Sequence, residues 1–130
     1  MNHCRSALTI ASLALIGLMG RIGAEEWTVP ADAAAIVNPV ASTPDALSKG
    51  AAIYRQSCLI CHGDSGKGDG TGGTFLVPKP TNLTDGTLRK ESDGALFWKI
   101  TTGRTSMPGN KNLTDQQRWQ VVQYIRTLSP

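Results

Sequence analysis

Five consecutive residues, Cys58-Leu59-Ile60-Cys61-His62, constrain this chain more than any other stretch. Thiols at i and i+3 share one face of a helical turn, and the imidazole that follows stands beside them. Two thiols and an adjoining imidazole at this spacing form the C-x-x-C-H sequence that attaches haem covalently. The sulfurs add to the two vinyl groups on one porphyrin edge, and the imidazole swings beneath the ring to bring its Nε2 to iron. Three other chemistries use similar residues. A redox C-x-x-C is expected beside a βαβ pattern, and none is visible. A structural zinc needs about four ligands, and Cys58, Cys61 and His62 have no second Cys/His pair to complete them. A disulfide across two residues is strained and closes a trivially small loop. The spacing therefore predicts one covalent haem c with its iron, Cys58 and Cys61 as attachment points and His62 as a metal ligand.

The rest of the chain narrows what surrounds that motif. Its 130 residues make one small domain. Residues 1–24 read as an export signal: Arg5 gives a basic start, Ala7–Gly20 is an apolar run of 14 residues, and Ile22-Gly23-Ala24 offers a small-residue cleavage site. The run is shorter than the ~18 residues of a spanning helix and Arg21 closes it, so cleavage is expected and no membrane span remains in the mature chain. Cys4 precedes the apolar run, where a lipid-bearing cysteine would not stand. The expected destination is across the inner membrane, in the periplasm, where bacteria attach haem c. Of 13 Lys and Arg, Arg5 and Arg21 leave with the signal while all 10 acids stay, so the net charge falls from +3 to +1. That is not the basic stripe of a nucleic-acid binder. Two cysteines, one histidine (His62) and one methionine (Met107) remain after residue 24. Only seven aromatic residues are present, few large groups for a small domain to bury, and a large flat cofactor relieves that shortage.

Residues 25–43 read as an irregular surface arm, rich in Ala and Pro, with Trp27 as its one large side chain. Residues 44–130 form the domain. Thr43-Pro44-Asp45 opens a helix with a cap, a first-turn proline and an acid on the dipole. Ala46, Leu47, Gly50, Ile53 and Tyr54 recur at helical spacing, and the helix is expected to run through Cys58 and stop near Gly63. Residues 63–73 hold six of the 14 glycines and read as a loop. A second helix is expected from Ser92 or Asp93 to about Thr101, with Gly103 ending it. The last helix starts at a Thr114/Gln117 capping box and carries Trp119, Val122, Tyr124, Ile125 and Leu128. No segment alternates with period two, so the expected class is all-α, three to four helices around the haem.

Met107 lies in Thr105-Ser106-Met107-Pro108-Gly109, a loop between two expected helices and not on an apolar stripe. A gap-filling core role is the ordinary one for methionine; this placement favours a second axial ligand on iron, which raises the reduction potential relative to two histidines. At residues 44–130 the chain resembles the class I c-type cytochromes, through Gly50 and Tyr54 on the first helix, Cys58–His62, Ser106-Met107-Pro108, and Val121, Tyr124 and Ile125 on the last. The resemblance implies the cytochrome c fold. Its first and last helices cross at Gly50, with Tyr54 and Tyr124 packed there. It also implies a backbone carbonyl orienting His62, with Pro78 and Pro80 both eligible, Pro80 favoured, and Leu83 packing on the haem.

Function is expected to be one-electron transfer between protein redox partners as the iron cycles between Fe(II) and Fe(III), without enzymatic catalysis. Lys67, Lys79 and Lys111 are candidates for steering an acidic partner. Arg104 and Trp98 read first as a surface charge and a core indole, and alternatively as haem-propionate contacts. Two other functions compete: a haem subunit of a larger respiratory or dehydrogenase complex, and a haem-based gas sensor or small catalytic domain if Met107 is absent from iron or easily displaced. The arm either docks such a complex or covers its own domain.

Overall fold

The structure, a computed structural model, describes residues 27–129; the expected export segment and Cys4 lie outside the described residues. Among these the chain is helical and contains no strand: α1 (Ala31–Ala34), α2 (Pro44–Ser57), α3 (Leu59–His62), a 3-10 turn (Leu88–Lys90), α4 (Asp93–Thr102) and α5 (Asp115–Leu128). None of these helices is long and apolar enough to cross a membrane.

Local chemistry sets the helix limits. Thr43 caps α2 by accepting the Ala46 amide at 3.2 Å, Ser92 caps α4 through the Ala95 amide at 3.1 Å, and Thr114 and Gln117 close a reciprocal box on α5. Gly103, at φ +67°, ends α4. The helix expected to run unbroken to Gly63 instead pauses at Cys58. At φ −119° and ψ −36° Cys58 stretches the helical backbone while its amide still reaches the Tyr54 carbonyl at 2.8 Å, and the haem motif forms a turn of its own, α3.

Helices α2 and α5 cross at Gly50. A Cβ there would overlap the Gln120 carbonyl and reach 3.0 Å from the Tyr124 Cβ, so only glycine lets the two backbones approach. Beside the crossing, the Tyr54 and Tyr124 rings meet at 5.2 Å between centroids, inclined by 55°. The core spreads from this contact through Ile53, Leu83, Leu88, Leu96, Ile100, Trp119, Val121, Val122 and Ile125.

The arm is more ordered than its composition predicts. It contains the single turn α1 and lies against α4, where Gly94 admits it: a Cβ at Gly94 would strike the Ala33 carbonyl and stand 2.7 Å from that of Ile36. Ser92 Oγ donates to Ala34 (2.6 Å), Asn38 Nδ2 to Trp119 (3.3 Å) and Gln123 Nε2 to Val40 (2.6 Å). Through these contacts the arm lies against its own domain.

Candidate functional site

The functional turn is built from the end of α2. The Cys58 carbonyl accepts the amides of Cys61 (3.2 Å) and His62 (2.9 Å), which brings both thiols and the imidazole onto one turn. Both cysteines are half-buried and unpaired. Burial, then the neighbouring Cys61, pushes the Cys58 thiol up to about 11. Among the described residues, no three His, Cys, Asp or Glu side chains converge on a point that could hold a metal ion.

The glycine-rich loop wraps this turn tightly. Its amides return to it, Gly70 to the Cys61 carbonyl at 3.1 Å, Gly72 to Ile60 at 2.8 Å and Gly68 to His62 at 2.8 Å. Tyr54 Oη, completely buried, donates to the Gly63 carbonyl at 2.7 Å and ties the loop's start to the helix crossing.

His62 Nδ1 lies 3.1 Å from the Thr81 carbonyl, to which it donates. This corrects the expected acceptor, Pro80, by one residue. The Pro80 carbonyl is turned against Gly68, where a Cβ would overlap it, and the Pro80 ring packs at Gly73. With Nδ1 carrying the proton, Nε2 keeps its lone pair for a metal. Burial lowers the His62 pKa, opposed by the Thr81 hydrogen bond. Sequence gave no sign of Thr81, because a main-chain acceptor leaves no side-chain signature.

Leu83 is buried in the core, and its amide donates to the Gly66 carbonyl at 2.6 Å. Met107 comes from the α4–α5 connection. It closes a four-residue turn by two hydrogen bonds with Arg104, each 2.8 Å, with Thr105 at φ +51°. Met107 and Cys58 both pack against the margin of the one core. Trp98 is half-buried and Arg104 lies over the Trp27 ring. A shallow groove of about 450 Å³ runs between Lys49 and Ala52 of α2 and Gln116 and Gln120 of α5, and no expected site residue lines it.

Comparison with known proteins agrees with this geometry. The chain is 31% identical over 87 residues to a thiosulfate dehydrogenase of Stutzerimonas stutzeri, covering 62% of this chain and 27% of that protein. A chain of the reducing HAO-like protein complex of Kuenenia stuttgartiensis superposes with a TM-score of 0.60 and 28% identity, over 71% of this chain and 47% of that one. The chain thus spans about a quarter of the first relative and about half of the second. Residues 45–125 match the family described as cytochrome c oxidase, cbb3-type, subunit III, so the chain belongs to this family of cytochrome c domains, with covalent haem c and its iron as cofactor.

Proposed function

We propose that the chain is an exported, periplasmic one-electron carrier in which His62 and Met107 would ligate the haem iron. The observation that carries this reading is the His62 ring held through Nδ1 on the Thr81 carbonyl, which leaves Nε2 as the nitrogen that would meet iron. Cys58 and Cys61 anchor the porphyrin edge. Met107 is supported as the second ligand by its place in a closed turn at the core margin, and a thioether there would keep the potential higher than a second imidazole would. The haem supplies the redox change when bound. The chain's residues ligate, orient and keep water away, and none is assigned acid–base work.

The absorption spectrum of the ferric protein tests the ligand pair. The expected result is the long-wavelength methionine-to-iron band in the natural chain, its loss in Met107→Ala, and rapid carbon monoxide binding by the reduced variant only. A natural chain without the band that binds carbon monoxide rapidly would support the gas-sensor reading instead.

A second reading, a haem subunit passing electrons inside a larger redox assembly, is favoured by the relatives. One is named as an enzyme and the other as part of a complex, and both are much longer than the matched region. The native size separates the two: a carrier elutes as the free chain, and a subunit co-elutes with its assembly.

A further inference from the structure

We propose that the arm preceding the family domain is a strap that positions the Met107 turn, with Trp27 as its anchor. This rests on the reading of Met107 as an iron ligand. The arm lies wholly before residues 45–125, the span matched to the family, so nothing about that family assigns it a role.

The arm's main chain is fixed at three places by side chains of the domain: Ser92 on Ala34, Asn38 on Trp119, and Gln123 on Val40. Gly94 provides the recess in which α1 sits. Ahead of these, Trp27 lies beneath two cations at the far end of α4. Lys99 Nζ is 5.3 Å from its ring centroid and the Arg104 guanidinium 5.9 Å, both within cation–π range. Lys99 is also held by Glu91 at 2.5 Å, which fixes one wall of the Trp27 site to the start of α4.

Arg104 links the arm to the ligand turn. Its amide and carbonyl both bond Met107, at 2.8 Å each, while its guanidinium lies over Trp27, so one residue carries both the arm contact and the closure of the Met107 turn. The turn also needs holding. Thr105, a β-branched residue, sits at φ +51°, a conformation kept only when its surroundings impose it. On the α4 side Gly103 lets the connection close this tightly, because a Cβ there would stand 2.3 Å from the Gly109 nitrogen and 2.5 Å from the Met107 carbonyl oxygen. On the outer side the contact that bears on Arg104 is Trp27. Trp27 is therefore a positioning residue that acts through Arg104.

An added ligand that competes with Met107 binds with an apparent affinity set by the fraction of chains whose turn is open. Imidazole titration of the ferric, haem-loaded chain reads that fraction. Trp27→Ala is expected to bind imidazole about tenfold more tightly, with a lower reduction potential. Trp27→Phe keeps an aromatic face and restores most of the natural behaviour. Gly94→Ala dislodges the arm without altering Trp27, Arg104 or the turn, and is expected to shift imidazole binding in the same direction. Lower melting temperatures with unchanged imidazole affinity in Trp27→Ala and Gly94→Ala would reduce the arm to a structural cover and overturn the proposal. A natural chain lacking the methionine–iron band overturns both the strap and the ligand reading. A natural chain showing the band, with both variants unaffected, overturns the strap alone.

Discussion

Gly50 and Tyr54 stand one turn apart on α2, and each answers for a different contact with the rest of the molecule. A methyl group at residue 50 has no space, since the Gln120 carbonyl and Tyr124 Cβ already fill it. Gly50→Ala must push α2 from α5 and disturb the tyrosine pair, so a loss of ~3 kcal/mol is expected, at the upper end for overpacking; urea unfolding measures it. Tyr54 answers for the loop, through its bond to the Gly63 carbonyl. Tyr54→Phe leaves that carbonyl unpaired in a buried place, and about 1–3 kcal/mol should be lost. The same hydroxyl makes stability depend on alkali. Burial raises the phenol's pKa well above its ordinary value, so the unfolded chain gives up this proton first. The contribution is complete below about pH 10 and falls above it by up to ~1.4 kcal/mol per pH unit. Urea midpoints of the natural chain should decline through that range, and those of Tyr54→Phe should decline less steeply. Equal slopes would remove Tyr54 as the cause.

Between elements, the packing of α5 on the segment from Leu88 to Asp93 depends on Arg126. Its Nε donates to Asp93 (2.8 Å), Nη1 to the Leu88 carbonyl (2.7 Å) and Nη2 to the Glu91 carbonyl (2.6 Å). One planar fork thus joins the last helix to the 3-10 turn and the start of α4. Lysine carries the charge without the fork, so Arg126→Lys should lose about 2 kcal/mol by leaving carbonyls unpaired. Amide exchange should rise in residues 88–95 before it rises in α2. This clamp was not legible in the sequence, because two of its three acceptors are main-chain carbonyls more than thirty residues away. Thr81 escaped for the same reason. The turn α1 escaped because four residues are too few to show periodicity, and it is held by docking at Gly94. The three long helices were legible because Thr43, Ser92 and Thr114 announce their starts locally. The haem turn was legible because its chemistry is contained in five adjacent residues. Its break at Cys58 was not, since nothing in the letters distinguishes a hinge from a helical cysteine.

At the scale of the whole molecule, the two thioether bonds set the concentration at which the haem meets its own fold. The core comprises mainly aliphatic residues, with Tyr54, Val121 and Val122 as its largest fully buried side chains, and a small domain of this kind has little stability to spare. A haem tethered through Cys58 and Cys61 cannot diffuse away on unfolding, so its rebinding is intramolecular and independent of haem in solution. In Cys58→Ala/Cys61→Ala, haem binding becomes bimolecular and folding is coupled to free haem by mass action. Each tenfold dilution of haem then removes about 1.4 kcal/mol, which for a domain of this size lowers the melting temperature by on the order of 5–10 °C. The natural chain should melt at one temperature whatever the free haem concentration, and the double variant at temperatures that follow it. A double variant that melts at the natural temperature regardless of free haem would mean that the helices, caps and Gly50 crossing hold the fold by themselves.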